Sequence, residues 1–423
     1  MEDEIVSRES SQHLLLIAAC ALAALAGVAR ASTIRVDVAG GGDYLTIQEG
    51  LDTASPGDSV LVAAGVYYEH LTMGVEHDGV SLISEDGPAA TIVDGQDLTT
   101  EGPLLHVEES AVQVLVSGFT FRNNHVLGSS WGGGAIFLDH CVARVEGNIM
   151  EDCRASWDGG GVYALFAESE IVGNTIRFCH ASIGAGVSVI GGTVLISHND
   201  IIDNEVYGWD THWAGGIYLD GVEAAQVLSN TISRNSTQGQ AGGLYARFSV
   251  VTIEDNVITD NRAGSTSAIL FASVSTAFVS GNVISGNGPY TSGQVTALAH
   301  LDGGSVHYEN NIITNNAGPA LWIAGSLLPV MHGCHIEGND GLAVVVTASA
   351  AAGTLDMTGN WWGTTDPEEI GAFIYDCADN VAISACVDFE EWCIDPSCSG
   401  DVTSVPGGEQ EETSWGRLKS LYR

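Results

Sequence analysis

The residues of this chain best suited to chemistry fall close together. His125, Arg154, His180 and Glu205 hold one position in four successive copies of a repeat, and the loops just beyond carry Trp131, Trp157 with Asp158, and Trp209, Asp210, His212 and Trp213. Exposed indoles can stack on sugar rings, and imidazoles and acids beside them can hydrogen-bond sugar hydroxyls. Two carboxyl groups facing one glycosidic bond can hydrolyse it, and Asp158 with Asp210 or Glu205 is the best pair. A polysaccharide lyase would need a strong base beside calcium ligands; Arg154 is the sole arginine of this groove. The competing expectation is that Trp131, Trp157 and Trp213 cover turn glycines and that the acids belong to a solvated surface.

What would bring these residues together is a period of about 26. Asn148, Asn174, Asn199, Asn230, Asn256, Asn282, Asn311 and Asn360 each sit inside the same short apolar phrase, and Phe119 and Cys334 fill that slot in two further copies. Three residues before the slot and two after it, all ten copies are apolar; five after it, asparagine returns in seven of ten, where the chain should turn. Glycine pairs then recur, as Gly133-Gly134-Ala135-Ile136, Gly160-Gly161-Val162-Tyr163, Gly215-Gly216-Ile217-Tyr218 and Gly242-Gly243-Leu244-Tyr245. Short β-rich units at fixed period cannot bury an apolar face alone, so they stack into a solenoid. The pattern predicts an all-β fold of about ten or more coils, with like side chains at steps of roughly 4.8 Å and the asparagines bonded in ladders. Those asparagines are therefore structural, and Arg122, Glu151 and Arg177, which share a slot, form an alternating-charge ladder.

Residues from about 33 to 393 resemble a right-handed parallel β-helix of the pectin-lyase-like superfamily. Phe121-Arg122-Asn123-Asn124 followed by Gly133-Gly134-Ala135-Ile136 is similar to the repeats of chlamydial polymorphic outer-membrane proteins, although no C-terminal transmembrane barrel follows. The opening Tyr44-Leu45-Thr46-Ile47-Gln48 to Gly65-Val66-Tyr67-Tyr68-Glu69 is similar to the start of pectin methylesterases, without a counterpart of their catalytic segments. The resemblance implies the fold and no particular activity. Ser197-His198-Asn199-Asp200 has residue types used by the superfamily's polygalacturonases, but it overlaps the asparagine ladder.

A solenoid needs closed ends. Thr46-Ile47-Gln48-Glu49 has capping-box form, with Ile47, Leu51 and Ala54 on one face, and predicts a short N-terminal capping helix. Aromatics from Trp361 and Trp362 to Phe389 should plug the last coil. Cys377, Cys386, Cys393 and Cys398 predict two disulfides in that cap, while Cys153 and Cys179, one coil apart, fit either a disulfide or two stacked thiols. Residues 1–31 read as a signal peptide, 32–398 as the β-helix with its caps, 399–413 as a linker, and 414–423 as a basic and aromatic tail similar to short terminal sorting motifs of exported bacterial proteins.

Acids outnumber bases 53 to 13, a formal net charge of -40; removing the four acids and two bases of residues 1–31 leaves about -38. Nucleic acid is excluded as a partner, and an anionic polysaccharide would need bridging Ca2+. No transmembrane segment is expected in the mature chain. The sequence thus predicts a secreted or cell-surface β-helix that binds a glycan or a surface component without catalysis. The alternative is a carbohydrate-active lyase or glycoside hydrolase using the Trp/Asp-lined face.

Overall fold

The computed structural model describes residues 31–100, 102–126, 132–207, 213–273, 276–293, 295–301, 304–398 and 402–403. The expected signal peptide short of Ala31, the tail 414–423, and Trp131, Trp209, Asp210 and His212 lie outside the described residues. The chain forms an all-β right-handed parallel solenoid of about 12 turns. Three sheets run along its axis, with twelve, sixteen and twelve strands in the first, second and third.

The repeat translates directly into register. In the first sheet Val145 pairs with Ile171, Ile171 with Ile196 and Ile196 with Val227, so the residue three before each asparagine lies above its equivalent. All four are fully buried. Four residues after the asparagine, Asn123, Asp152, Phe178, Asp203, Arg234, Asp260 and Asn315 take left-handed backbone with φ of 52 to 58°. This bends the second sheet at every coil. Asparagine and aspartate tolerate that region best because their short polar side chains bond locally.

Both asparagine ladders form. The backbone N–H and the Nδ2 of Asn230 donate to Asn256 Oδ1 at 2.8 and 2.9 Å, and Asn256 donates in the same way to Asn282. The second ladder runs through Asn204, Asn235, Asn261, Asn287 and Asn316. Cys334 interrupts the first ladder and accepts weakly from Asn311 through sulfur. The charge ladder is only half as expected: Arg177 pairs with Glu151, but Arg122 reaches back to Asp94 at 2.8 Å.

The glycine turn opens the third sheet. A Cβ on Gly216 would lie 2.4 Å from the carbonyl oxygen of Gly243, so only glycine lets adjacent coils approach this closely. The copies aligned by sequence are one residue out at the first: Ile136 pairs with Val162, so Phe137 and not Ile136 matches Tyr163.

The caps are as the residues predict. Thr46 accepts from the Glu49 N–H at the start of helix Ile47–Asp52, whose Ile47 and Leu51 are wholly buried on the first coil. Trp362, Phe389 and Trp392 fill the other end, beside a short helix, Pro367–Ala372. Cys377 bonds Cys386 and Cys393 bonds Cys398. Val402–Thr403, within the segment expected to be a linker, pairs antiparallel with Trp392–Cys393.

Cys153 and Cys179 are free buried thiols, as are Cys141 and Cys334, so the disulfide expected as one alternative does not form. The two hold equivalent positions in neighbouring coils, each just before the paired Arg154 and His180. Burial pushes the Cys179 thiol up to about 12, away from the reactive thiolate. Iodoacetamide at pH 8 is therefore expected to leave these four thiols unmodified until the protein unfolds. Peptide mass mapping that finds Cys153 or Cys179 alkylated at native rates would contradict that burial.

Candidate functional site

Side chains alternate in and out along each third-sheet strand, and the outward row forms a column along the axis. After Thr72 it continues with His106, Phe137 and Tyr163, whose rings stack at centroid distances of 4.8 and 4.9 Å with interplanar angles of 3 and 9°. The next coil places Ser188 in this column, and the two after it place Tyr218 and Tyr245. A small residue thus breaks a row of rings.

Asp158 occupies the break. It lies in the loop before the third sheet and aligns with Ile183, Trp213 and Gln240 of later coils through successive bridges. Ser188 Oγ donates to Asp158 Oδ1 at 3.0 Å. Burial pushes the Asp158 carboxyl up to about 6; the Ser188 hydrogen bond opposes this, the charge of Asp220 adds to it, and Arg247 works against it. A carboxyl in that range exchanges a proton near neutral pH.

Asp220 and Arg247 stand two residues beyond Tyr218 and Tyr245 and pair across neighbouring coils, with Arg247 Nη2 donating to Asp220 Oδ2 at 2.6 Å. The Tyr218 hydroxyl donates to the same oxygen at 3.2 Å. Trp213 stacks on Tyr218 at 5.9 Å, and the Arg247 guanidinium lies 4.6 Å from the Trp213 ring centroid. Burial raises the pKa of Tyr218 and Tyr163 further above the ordinary phenol range, so their hydroxyls remain donors. The result is a patch of two carboxyl groups, one guanidinium and several aromatic rings within a few coils of one face.

The residues predicted from sequence divide between this face and another. His125, Arg154, His180 and Glu205 do stack in register, but on the second sheet. Glu205 lies beside His180 on the second sheet and accepts from the Tyr290 hydroxyl at 3.0 Å, whereas Asp158 precedes the third sheet and accepts from Ser188. Three residues, Ala155 to Trp157, carry the chain from the Arg154 row to Asp158, and the glycine turn that opens the third sheet follows. Burial lowers the His180 pKa, and Arg154 adds to the shift. Trp157 is 49% exposed, while Trp213 packs on Tyr218, Tyr245 and Arg247.

Ser188, Tyr218, Asp220 and Arg247 were not singled out by residue type. The available signal was the phrase Gly-Gly-x-Tyr followed two residues later by a charge, present at Asp220 and Arg247. Among the described residues no group of three or more histidine, cysteine, aspartate or glutamate side chains is placed to hold a metal ion.

The profile of the family described as "Right handed beta helix region" matches residues 109–266 and 215–386. Among solved structures, the chain is similar to the A-module of the Azotobacter vinelandii mannuronan C-5 epimerase AlgE4, at 12% identity and a TM-score of 0.46, over 81% of this chain and 92% of that one. It is also similar to a double mutant of the periplasmic alginate epimerase AlgG, at 12% identity and a TM-score of 0.42, over 72% and 79% of the two chains. A third likeness is to the catalytic domain of a GH87 alpha-1,3-glucanase in complex with tetrasaccharides, at 11% identity and a TM-score of 0.39, over 81% and 66%. No curated protein sequence matches the chain. Likeness at this level concerns the fold.

Proposed function

This chain belongs to the right-handed β-helix family, and from that premise we propose that it is a carbohydrate-active enzyme cleaving glycosidic bonds on the outer face of its third sheet. Of the two readings open from sequence, this is the second, relocated to a different carboxyl pair. The observation that carries it is the Asp220–Arg247 pair with Trp213 and with Tyr218, whose strand neighbour Ser188 holds Asp158 through its hydroxyl. Hydrolysis needs one carboxyl group that carries a proton and one that serves as base or nucleophile. Asp158, held up to about 6, is suited to protonate the leaving oxygen, and Asp220, oriented by Arg247 and the Tyr218 hydroxyl, is suited to the second role. A lyase is disfavoured because Arg247, the nearest strong base, is already engaged by Asp220. Export is part of the proposal, supported by the two disulfides, which persist in oxidising compartments.

A glycan-binding solenoid without catalysis is the second reading, favoured by the exposed indole of Trp157. Incubation of the purified protein with a panel of polysaccharides, with calcium and with chelator, separates the two. New saturated reducing ends are the expected product. Unsaturated ends would make it a lyase, and binding without any product would leave the non-catalytic reading. Calcium-dependent binding of an acidic glycan would support the bridged partner expected from the net charge.

A further inference from the structure

Beyond Tyr245 the outward column of the third sheet continues as Leu270, Ala299, Trp322, Val345 and Tyr375, one per coil. Its character changes there. Tyr218 and Tyr245 are 1% and 5% exposed, whereas Trp322 is 38% exposed. The small side chains of Ala299 and Val345 on either side leave two clefts, of 340 and 710 Å³, and Trp322 borders both. Tyr375 closes the far side of the larger one.

We propose that Trp322 and its two flanking clefts are a binding subsite for a neutral polysaccharide, each cleft holding sugar rings of the chain that is cleaved at Asp158 and Asp220. The inference rests on the hydrolase reading and supplies its substrate class. Three observations support it. The first is spacing: Trp322 and Tyr375 are two coils apart, about 9.6 Å, and a pyranose at about 4 Å from each ring needs roughly 8 Å. The column can hold near-parallel rings, as His106, Phe137 and Tyr163 do at 3 and 9°, although Tyr218 and Tyr245 meet edge-on at 66°.

The second is chemistry. Among the described residues lining the two clefts none is basic, and the one charged side chain is the acid Asp340. Gln240 and Thr266 add polar groups to the smaller cleft. Uronate and phosphate would meet no cation there, in a protein of net charge -40, whereas uncharged hydroxyls and apolar sugar faces are accommodated. The third is continuity. Four coils of one register column separate Tyr218 from Trp322, about 19 Å, and because Tyr245, Leu270 and Ala299 between them are buried, a chain reaching both ends passes outside those side chains. A ligand that engages both ends therefore needs at least about four extended sugar residues.

Affinity electrophoresis tests this, with the protein run through gels containing dextran, laminarin, galactomannan or arabinoxylan and through gels containing alginate or polygalacturonate. Retardation is expected in at least one neutral gel, weakened about tenfold in Trp322→Ala, the scale of one aromatic stacking contact. Asp158→Asn should be retarded like the wild type, and circular dichroism checks that each variant is folded. Retardation only in the anionic gels, none in any gel, or unchanged retardation of folded Trp322→Ala would each overturn the subsite. Products that depend on Asp158 but not on Trp322 would sink the subsite and leave the hydrolase reading standing. Trp322-dependent binding without products would do the reverse.

Discussion

Asp158→Asn is expected to lower turnover about a thousandfold while leaving polysaccharide binding within a factor of about two, because general acid catalysis is commonly worth two to four orders of magnitude. Asparagine keeps the shape and still accepts from Ser188 Oγ, so the loss isolates the proton. Wild-type turnover should fall as pH rises through about 6, where the carboxyl loses that proton. The same shift gives an independent readout. A carboxyl whose pKa is raised on folding holds its proton more tightly in the folded state, so its contribution to stability is greatest at low pH. That contribution declines as pH rises from about 4 to about 6. Asp158→Asn removes this decline and should raise the melting temperature at pH 7 relative to wild type, the usual exchange of activity against stability at a strained polar site. A variant with full activity, or one with unchanged pH dependence of melting, would remove Asp158 from the chemistry.

Asn256→Ala should destabilise the solenoid by about 4 kcal/mol. Asn256 is wholly buried, accepts from the backbone N–H and Nδ2 of Asn230, and donates to the carbonyls of Val227 and Glu254 and to Asn282 Oδ1. Alanine leaves the Asn230 N–H and the Val227 carbonyl without that partner in a dry interior, at about 1 to 3 kcal/mol for each orphaned group. Because each coil contacts only its neighbours, a break in mid-stack separates two blocks that can open independently. Urea unfolding should therefore show a lower midpoint and a broader transition. Val250→Ala, at a position 43% exposed on a first-sheet strand, should change stability by no more than about 0.5 kcal/mol. A loss below 1 kcal/mol in Asn256→Ala would show that the ladder does not carry the stack.

How much of this was legible in the residues follows from what each feature depends on. The stack was, because Asn148 through Asn360 repeat with their apolar neighbours and every copy must solve the same burial problem. The caps were legible from local signals: Thr46 and Glu49 mark a helix start, and Trp362 and Phe389 come where the repeat ends and its open core needs covering. The site was not. Which face a strand residue takes reverses with a slip of one, and the first glycine copy was aligned one residue out, which hid the aromatic column that begins at His106 and Phe137. The row His125, Arg154, His180 and Glu205 stacks as its spacing requires, but the loops beyond it lead to another sheet. Asp220 and Arg247 look ordinary in sequence. Only register brings them beside Trp213, whose own loop precedes Tyr218, and only the serine at 188 makes room for Asp158. Trp322 carries no glycine pair before it, so nothing local tied it to the column.

The central claim is that a sugar chain lies along the outer face of the third sheet. A crystal structure of Asp158→Asn soaked with a neutral oligosaccharide, taken from whichever polysaccharide retards the protein, tests it most directly. The prediction is sugar density running between the Asp220–Arg247 pair and Trp322, with a glycosidic oxygen next to residue 158. Density over His125, Arg154, His180 and Glu205 on the second sheet would contradict it.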